Sequence, residues 1–433
     1  MYRDVRKTYK RKISVIVLMM LLFSVIFTGC MKKDNNLLGS ATPEMTSVEY
    51  WKGSDEPVMT HDEIEKYNQM MVDEYHIKVT NLLASDEVIA ADDVISMIDK
   101  YSFDKDCHCL DTHKITKADK EKLLDERNIE AIKGTITVKY GIVTEPANIR
   151  SMPTNKALTE DAIVMGPKCC DNFQLTRFRL GEGVLVYSKS KSNDWLFVQG
   201  STYCGWIEAS KVGLCSREAF EQYITDKNFL VATERKDIII NNKLLSISMG
   251  TKFLLDGDRI VIPVRAKNGR LLLKRVDSID IATNEGYLPY TTNNLYKLAL
   301  GQLGDRYDWG GREGHYDCSD FIMAVYSVFG ITLPRDSYEE FEYNIVDLND
   351  VNNESKLIPG AILVMDGHFV LFLGKVNGEM YGIHVLYSSY DNNKNYMEPL
   401  RTVLSSFNDI WRHGGKDTMR STIYEGINIG LEN

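Results

Sequence analysis

One cysteine of the 433-residue chain, Cys318, lies between an acid and a serine at the start of an apolar run, in "GHYDCSDFIMAVYSVFG". The first helical turn favours a thiolate, the nucleophilic form of cysteine, because its N–H groups and the helix dipole stabilise negative charge. Those N–H groups can also hold the oxyanion of a tetrahedral intermediate. A buried, inert cysteine is the alternative interpretation. The apolar spacing predicts that a helix begins here, ends before Gly330, and buries Phe321, Ile322, Val325 and Phe329.

Two histidines are candidates for the base that a nucleophilic thiol requires. His368 begins "HFVLFLG", and His384 lies 16 residues later in the next predicted strand. In a hairpin both fall near the same end of the sheet, which completes a set of nucleophile, base and orienting residue. A strict two-residue turn at Asn377–Gly378 would put them on opposite faces, so the hypothesis requires an odd-length loop or a bulge. Histidines with a purely structural role are the alternative.

Other cysteines and histidines are weaker candidates. His315 precedes Cys318 by three residues and competes as base, although a loop position indicates a surface or substrate-facing residue, and His413 is expected at the surface. Cys107, Cys109 and His113 in "CHCLDTH" suggest zinc, but zinc sites usually space their cysteines more widely and have a fourth ligand. Disulfides or free thiols are therefore favoured, and we expect neither a metal nor an organic cofactor.

The hydrophobic periodicity of the sequence changes along the chain and predicts the elements that position these residues. Residues 46–130 have helical periodicity, with a capping box formed by Thr60 and Glu63. From about residue 132 short alternating segments predict strands, and "NG" at 268–269 predicts a hairpin. Near 293 a helix follows, with an asparagine start and a stop at Gly304. Three strands, "GAILVM", "HFVLFLG" and "MYGIHVLYS", come after the Cys318 helix, which indicates an α+β fold.

Charge and composition exclude some classes of function. The formal net charge is −10, and no block of lysine and arginine occurs beyond the first twelve residues, so a basic nucleic-acid-binding surface is not expected. The length suggests about three domains of ~150 residues. A hydrophobic fraction of 44% is typical of a folded globular protein.

The N-terminus has the pattern of an export signal. Basic residues precede the apolar run "ISVIVLMMLLFSVIF", which ends in "TGC". Cys30 resembles the lipidated cysteine of a lipobox, which predicts an extracytoplasmic lipoprotein anchored to a membrane; an uncleaved helix is the alternative, although 15 residues are short for a span. Seven cysteines then remain. The odd number indicates one free reactive thiol, and the other six, if they are not all reduced, have 15 possible pairings.

The C-terminal motifs resemble those of a known family. "DRYDWGG", "YDCSDF", "LPRDS", "PGAILV", "HFVLFLG" and "IHV" are similar to the NlpC/p60 family of papain-like cysteine peptidases, which cut peptidoglycan stem peptides. The resemblance covers residues 293–425 and implies Cys318 as nucleophile, His368 as base and His384 as orienting residue. Asp320 and Ala361 depart from the family pattern, where glycine and aspartate are usual.

A second resemblance narrows the expected substrate. "ANIRSMPT" and the segment from "DNFQLTRF" to "STYCGW" are similar to the first bacterial SH3 (SH3b) domain of YkfC-like members. This resemblance implies cleavage between D-Glu and the diamino acid, diaminopimelate or lysine, in peptides with a free N-terminal L-Ala. It also implies an amine-binding set consisting of Asp317, Ser319, Tyr307 and Tyr203. An N-cap of the Cys318 helix is the alternative role for Asp317.

The predicted organisation follows from these motifs. It comprises a lipoprotein signal peptide (1–29), a tether (30–45), a helical N-terminal domain (46–130), two small SH3b β-barrels (131–216 and 217–290) and a papain-like peptidase domain (291–425). The partners expected are peptidoglycan stem peptides and, through the lipid, a membrane. Two other functions remain open: a non-catalytic peptidoglycan-binding lipoprotein, and an acyl transferase that uses the same Cys/His site.

Overall fold

The structure is a computed structural model that describes residues 36–74, 79–162, 166–336 and 343–430. The predicted signal segment and Cys30 lie outside these ranges. Among the described helices, none has the length and apolar character needed to cross a membrane. The α-helices described are Val48–Trp51, His61–Glu74, Ala91–Asp99, Lys117–Glu126, Arg217–Thr225, Thr292–Leu300, Cys318–Ser327 and Met419–Thr422. Short 3₁₀ helices are Pro43–Thr46, Leu82–Ala84, Ile129–Ala131, Ala209–Lys211, Trp309–Gly311 and Val351–Lys356.

The N-terminal segment contains the expected helices together with short strands that fasten it to the rest of the chain. The capping box is present, because the Thr60 amide donates to Glu63 (2.7 Å) and the Glu63 amide donates to the Thr60 hydroxyl (3.4 Å). The short strands of this segment are Leu37–Leu38, Pro57–Met59, Val88–Ala90, Cys109–Leu110, His113–Lys114 and Thr135–Thr137. Leu37–Leu38 pairs in parallel with Arg401–Ser406, and Pro57–Met59 pairs with Tyr290–Thr291. These pairings attach the N-terminal segment to the C-terminal domain.

The first β-rich block forms a seven-stranded sheet. Its order is Gln174–Phe178, Ala147–Arg150, Cys204–Glu208, Trp195–Gln199, Gly183–Lys189, Lys139–Val143 and Val212–Cys215. The strands predicted here are confirmed, and Val184, Val198 and Ile207, from three of them, belong to one buried cluster. Beside this sheet, Leu158–Thr159 joins Cys109–Leu110 and His113–Lys114 in a three-stranded sheet.

A second β-rich block follows the helix Arg217–Thr225. Its five strands lie in the order Leu271–Val276, Arg259–Arg265, Lys252–Asp256, Phe229–Ala232 and Thr283–Glu285, and a separate hairpin consists of Lys236–Ile240 and Lys243–Ile247. The predicted "NG" hairpin is confirmed: Gly269 has φ 87° between two paired strands, a conformation that glycine adopts without steric cost.

The C-terminal domain packs the Cys318 helix (Cys318–Ser327) against a seven-stranded sheet. The sheet order is Leu37–Leu38, Arg401–Ser406, Glu379–Leu386, His368–Val376, Ile362–Met365, Glu425–Ile427 and Ile345–Asp347. The connections on either side of Arg401–Ser406 form a four-stranded sheet in the order Tyr396–Met397, Ser389–Tyr390, Trp411–Arg412 and Asp417–Thr418. The helix before the active-site motifs begins after Thr291, whose hydroxyl caps it, and ends at Leu300. The predicted asparagine start and stop at Gly304 were therefore wrong.

A β-bulge sets the register of the central hairpin. Asn377 and Gly378 form a two-residue turn with positive φ (53° and 84°), between the paired residues Val376 and Glu379. Further along, Phe372 pairs with Gly382 but Gly374 pairs with Tyr381, which leaves Leu373 as one extra residue. An extra residue reverses the facing of everything beyond it, so His368 and His384 point to the same side of the sheet. The requirement inferred from the sequence is met by the bulge rather than by the loop.

Candidate active site

Cys318 is the first residue of its helix. Asp317 is the N-cap, and its carboxylate accepts from the Asp320 amide at 2.8 Å, as in the N-cap interpretation. The predicted buried face is confirmed, because Phe321, Ile322, Val325 and Phe329 are each at most 1% exposed. Cys318 itself retains partial exposure, so the thiol is positioned by a well-packed helix and is still accessible from outside.

The two histidines are in contact with each other. His368 Nε2 lies 2.7 Å from His384 Nδ1, and His384 Nε2 lies 2.8 Å from the hydroxyl of Ser405 on the adjacent strand. His384 and Ser405 are fully buried, and His368 is 9% exposed. Because each imidazole has two nitrogens, the contacts leave Nδ1 of His368 to face another group.

Burial favours the neutral forms of Cys318, His368 and His384. Burial, reinforced by the Asp317 charge, raises the pKa of the Cys318 thiol to about 11, although the backbone N–H groups of Phe369 and Ser319 and the Arg335 charge partly oppose this. Burial, with smaller contributions from His384 and Arg412, holds the pKa of His368 well below its usual range. Burial, then the Arg412 charge, lowers the pKa of His384 to about 3. Burial thus opposes the thiolate that the helix terminus favours.

The Phe369 interaction also locates His368 relative to Cys318. The N–H of Phe369 acts on the Cys318 sulfur, and Phe369 directly follows His368 at the start of the strand. The thiol of Cys318 therefore lies next to the first residues of this strand. The Cys318 helix and both histidine-bearing strands are in contact, which agrees with this arrangement.

The carboxylate of Asp317 is already occupied by neighbours. Its Oδ1 accepts from the Asp320 amide, from the Ser319 hydroxyl (3.2 Å) and from Arg335 Nη1 (3.2 Å). Its Oδ2 accepts from Arg335 Nη2 (2.7 Å) and from the Gly310 amide (3.0 Å). A ligand amine at Asp317 must therefore share the carboxylate with a bidentate arginine, and its amine-binding role stays a prediction.

The other residues of the predicted binding set lie around the same helix terminus. Ser319 accepts from Arg335 Nη1 at 2.8 Å. Tyr307 stacks edge-on against Tyr387 with 5.3 Å between ring centroids. Burial raises the pKa of Tyr307, and the charge of Asp317 adds to the effect.

Tyr203 reaches a carboxylate that the sequence did not single out. Its hydroxyl donates to Asp336 Oδ2 at 2.8 Å, and this bond joins the first β-rich block to the C-terminal domain. Asp336 directly follows Arg335, the partner of Asp317. Arg335, Asp336 and Ser405 are site residues that sequence reasoning missed; Arg335 and Asp336 had a signal, because they belong to the motif "LPRDS".

The weaker histidine candidates are engaged elsewhere. His315 Nδ1 lies 2.6 Å from Asp305 Oδ1, and its Nε2 lies 3.1 Å from Arg235 Nη2, so both ring nitrogens have partners away from Cys318. His413 is exposed and lies 3.0 Å from Asp417, as expected of a surface residue.

The remaining cysteines are reduced in the structure. None of the seven described cysteines forms a disulfide. Cys109 and His113 belong to adjacent short strands, and His113 Nε2 contacts Asp119 at 3.3 Å. Within the described ranges, no group of three or more ligating side chains is arranged to hold a metal.

The two departures from the family pattern occupy different environments. Ala361 is fully buried and its methyl group belongs to an apolar cluster on the sheet face. Asp320 lies in the first turn of the Cys318 helix, where burial, reinforced by the Asp317 charge against Arg335, raises its pKa to about 6. Of the two, only Asp320 adds a titratable group near the nucleophile.

Comparisons with known proteins agree with this architecture. The family described as NlpC/P60 matches residues 304–399, which include Cys318, His368 and His384, and an SH3 domain of the SH3b1 type matches residues 170–208. The chain therefore contains an NlpC/P60 domain preceded by an SH3b domain, in a mixed α and β fold. The exact domain boundaries, and a second SH3b domain, stay predictions.

Individual relatives are similar over part of their length. The chain is 29% identical over 182 residues to a gamma-D-glutamyl-L-lysine dipeptidyl-peptidase of Bacillus cereus and 25% identical over 194 residues to one of Bacillus subtilis. These matches cover 37% and 40% of this chain, and 52% and 59% of the relatives, so the chain spans little more than half of either. An NlpC/P60 endopeptidase from Photobacterium damselae subsp. piscicida shares the fold, with a TM-score of 0.67, 18% identity, and coverage of 88% of this chain and 96% of that one.

Proposed function

We propose that this chain is a cysteine peptidase that hydrolyses the bond between γ-D-glutamate and the diamino acid of peptidoglycan stem peptides. The observation that carries the proposal is the position of Cys318 at a helix N-terminus beside the hydrogen-bonded series His368, His384 and Ser405. The NlpC/P60 match and the names of the two Bacillus relatives support the substrate class.

The geometry supports a general-base mechanism that starts from neutral groups. Nδ1 of His368 accepts the Cys318 proton as the sulfur attacks the glutamyl γ-carbonyl, and the imidazolium then protonates the leaving amine of the diamino acid. At the start of the Cys318 helix, the Asp320 N–H is taken by the Asp317 carboxylate and the Ser319 N–H acts on the Cys318 sulfur, so the Cys318 N–H is the helix N–H suited to hold the oxyanion. Water hydrolyses the thioester with His368 again as base. His384 orients His368 and does not touch the substrate.

The free N-terminal amine of the substrate is assigned to the carboxylates near the start of the Cys318 helix, Asp317 and Asp336. Asp317 shares its carboxylate with Arg335, and Asp336 accepts from the hydroxyl of Tyr203. An acylated amine lacks the positive charge that these carboxylates bind, which gives selectivity for free-amine peptides.

The experiment compares L-Ala-γ-D-Glu-meso-diaminopimelate, its lysine counterpart and their N-acetylated forms, with products identified by mass spectrometry. The purified full-length chain should release L-Ala-D-Glu from the free-amine peptides, Cys318→Ala should release none, and Asp336→Asn should reduce the preference for the free amine. Transfer of the acyl group to an added amine would instead indicate an acyl transferase. Binding of these peptides without turnover by the unmodified chain would indicate a binding protein.

We further propose that the protein acts outside the cytoplasm, anchored by a lipid on Cys30. The support is the basic segment, apolar run and "TGC" at the N-terminus. Radiolabelled palmitate should be incorporated into the chain in cells and not into a Cys30→Ser variant. Equal labelling of the two would remove this proposal and leave the peptidase assignment unchanged.

A further inference from the structure

Arg412 has an unused hydrogen-bond donor beside the active site. It belongs to the short strand Trp411–Arg412, and its Nη2 donates to the Asp366 carbonyl at 2.9 Å. Asp366 lies in the turn that leads into His368. The other terminal nitrogen, Nη1, is buried and has no hydrogen-bond partner among the described residues. A buried donor without an acceptor costs free energy, so a missing partner at this position is informative.

The charge of Arg412 acts on all three proposed catalytic groups. It lowers the pKa of His368 and of His384, and Cys318 in turn acts on the arginine. Arg335 also acts on the nucleophile, but its guanidinium is 2% exposed and is fully engaged by Asp317, Ser319 and Thr176. Arg412, in contrast, forms no ion pair with a carboxylate within the part of the chain that the structure describes.

The Arg412 guanidinium, whose charge the Asp366 carboxylate offsets in part, opposes the proposed reaction. Proton transfer from Cys318 creates an imidazolium at His368, and the nearby guanidinium disfavours that positive charge. An anion that binds Arg412 would supply the missing acceptor and remove the opposition. Peptides with a γ-glutamyl linkage carry such anions close to the scissile bond: the glutamyl α-carboxylate stays free, and the diamino acid contributes a carboxylate on the leaving side.

We propose that Arg412 binds a substrate carboxylate next to the scissile bond, so that acidic γ-glutamyl peptides complete the charge balance of the site. This inference rests on the proposed function for the identity of the peptide. Arginine suits the role because its planar group makes charge-assisted, bidentate contacts with carboxylates. The two sources of the carboxylate differ in a testable way, because either one can be converted to a neutral amide without altering the scissile bond.

The test uses three peptides: L-Ala-γ-D-Glu-L-Lys, the same peptide with the glutamyl α-carboxylate as an amide, and the same peptide with a C-terminal lysine amide. Affinities are measured by calorimetry in the Cys318→Ala background, with and without Arg412→Gln, and kcat/KM is measured with Cys318 present. Arg412→Lys retains the charge. Arg259→Gln is the matched control, because Arg259 forms an exposed pair with Asp277.

We expect one amide to weaken binding and kcat/KM about 10- to 100-fold, the amount expected for a charged hydrogen bond. Arg412→Gln should lose the same factor on the diacid peptide and show no further loss with that amide, while Arg412→Lys falls between. The sensitive peptide identifies the carboxylate, and Arg259→Gln should behave as the unmodified chain. The amide series in the chain with Arg412 needs no variant, so poor folding of Arg412→Gln would not obscure the result.

Two outcomes would overturn the inference. Either both amides bind and react like the diacid peptide, or Arg412→Gln loses the same factor on all three peptides, which would mean that the arginine acts on the catalytic groups alone. Failure of the proposed function looks different: no peptide is cleaved, although carboxylate-dependent binding through Arg412 persists. Absence of both binding and cleavage would remove both proposals.

Discussion

His368 Nε2 and His384 Nδ1 lie 2.7 Å apart in a buried pair, with the Ser405 hydroxyl 2.8 Å from the far nitrogen of His384. Two imidazole rings can lie this close when both are neutral, because no charge repulsion acts between them. The tautomers that leave Nδ1 of His368 open to accept a proton have Nε2–H of His368 donating to His384, and Nε2–H of His384 donating to Ser405. His384 therefore fixes the tautomer of His368 by accepting its Nε2–H.

Replacement of His384 should affect turnover more than binding. His384→Ala removes the acceptor that fixes the tautomer of His368, so we expect kcat to fall roughly 10²- to 10⁴-fold with little change in KM. Ser405→Ala removes one neutral hydrogen bond and should cost about 10-fold. Ser406→Ala is the matched control, because its buried hydroxyl contacts Ser40 and Asp409 instead. Equal losses from both serine variants would contradict this assignment.

The resting thiol should be alkylated slowly at neutral pH. Because burial raises the pKa of Cys318 to about 11, the thiolate fraction at pH 7 is small and increases steadily as the pH rises. The rate of Cys318 modification by iodoacetamide, followed by peptide mass spectrometry, should therefore rise through pH 9 without a plateau. A plateau that begins near pH 5 or 6 would instead reveal a thiolate–imidazolium pair in the resting enzyme.

Asp320→Asn should stabilise the protein at neutral pH. The folded pKa of about 6 is above the ordinary value of about 4, so the folded state holds this proton more tightly than the unfolded state does. The stabilisation from this group is complete below pH 4 and is lost as the pH rises through 6. In urea denaturation, the variant should gain about 1–3 kcal/mol at pH 7.5 and nothing at pH 4. A gain of the same size at both pH values would argue against a titrating Asp320.

Asp171→Ala should destabilise the junction of the SH3b and NlpC/P60 domains. Asp171 is fully buried, pairs with the 1% exposed Arg150, accepts from the amides of Leu158 and Phe173, and lies 3.4 Å from Arg312. Removal of the carboxylate leaves a buried arginine uncompensated, so the free energy of unfolding should fall by about 3–5 kcal/mol. Asp277→Ala, which breaks an exposed pair, should have no measurable effect. Thermal and urea denaturation compare the two.

Local patterns predicted the positions of the main site residues. Helical spacing located the first turn at Cys318, and turn residues located the hairpin that bears His368 and His384. The bulge could not be predicted from the sequence, because residues 369–373 ("FVLFL") are all apolar. Without alternation between apolar and polar residues, an extra residue leaves no trace in the pattern. The extra residue is contacted from outside the hairpin, because the Tyr296 hydroxyl donates to the Leu373 carbonyl at 2.8 Å.

The contacts that were missed join parts of the chain that are distant in sequence. Asp317 was expected to face a ligand, but Arg335 approaches it from a loop 18 residues later. Tyr203 meets Asp336 across 133 residues, and Ser405 meets His384 only because Arg401–Ser406 is the next strand of the sheet. Tertiary packing decides which of the many polar side chains in such segments come together, and one sequence does not encode that choice in a local pattern.

The single extra residue at Leu373 divides the hairpin into two registers. Next to the turn, Val376 pairs with Glu379, and beyond the bulge Leu371 pairs with Ile383, which puts His368 and His384 on one face. The turn and the strands therefore tolerate changes in length differently. Residues added to the Asn377–Gly378 loop leave both registers unchanged, whereas one residue added between the bulge and His368 would move the His368 ring to the opposite face of the sheet.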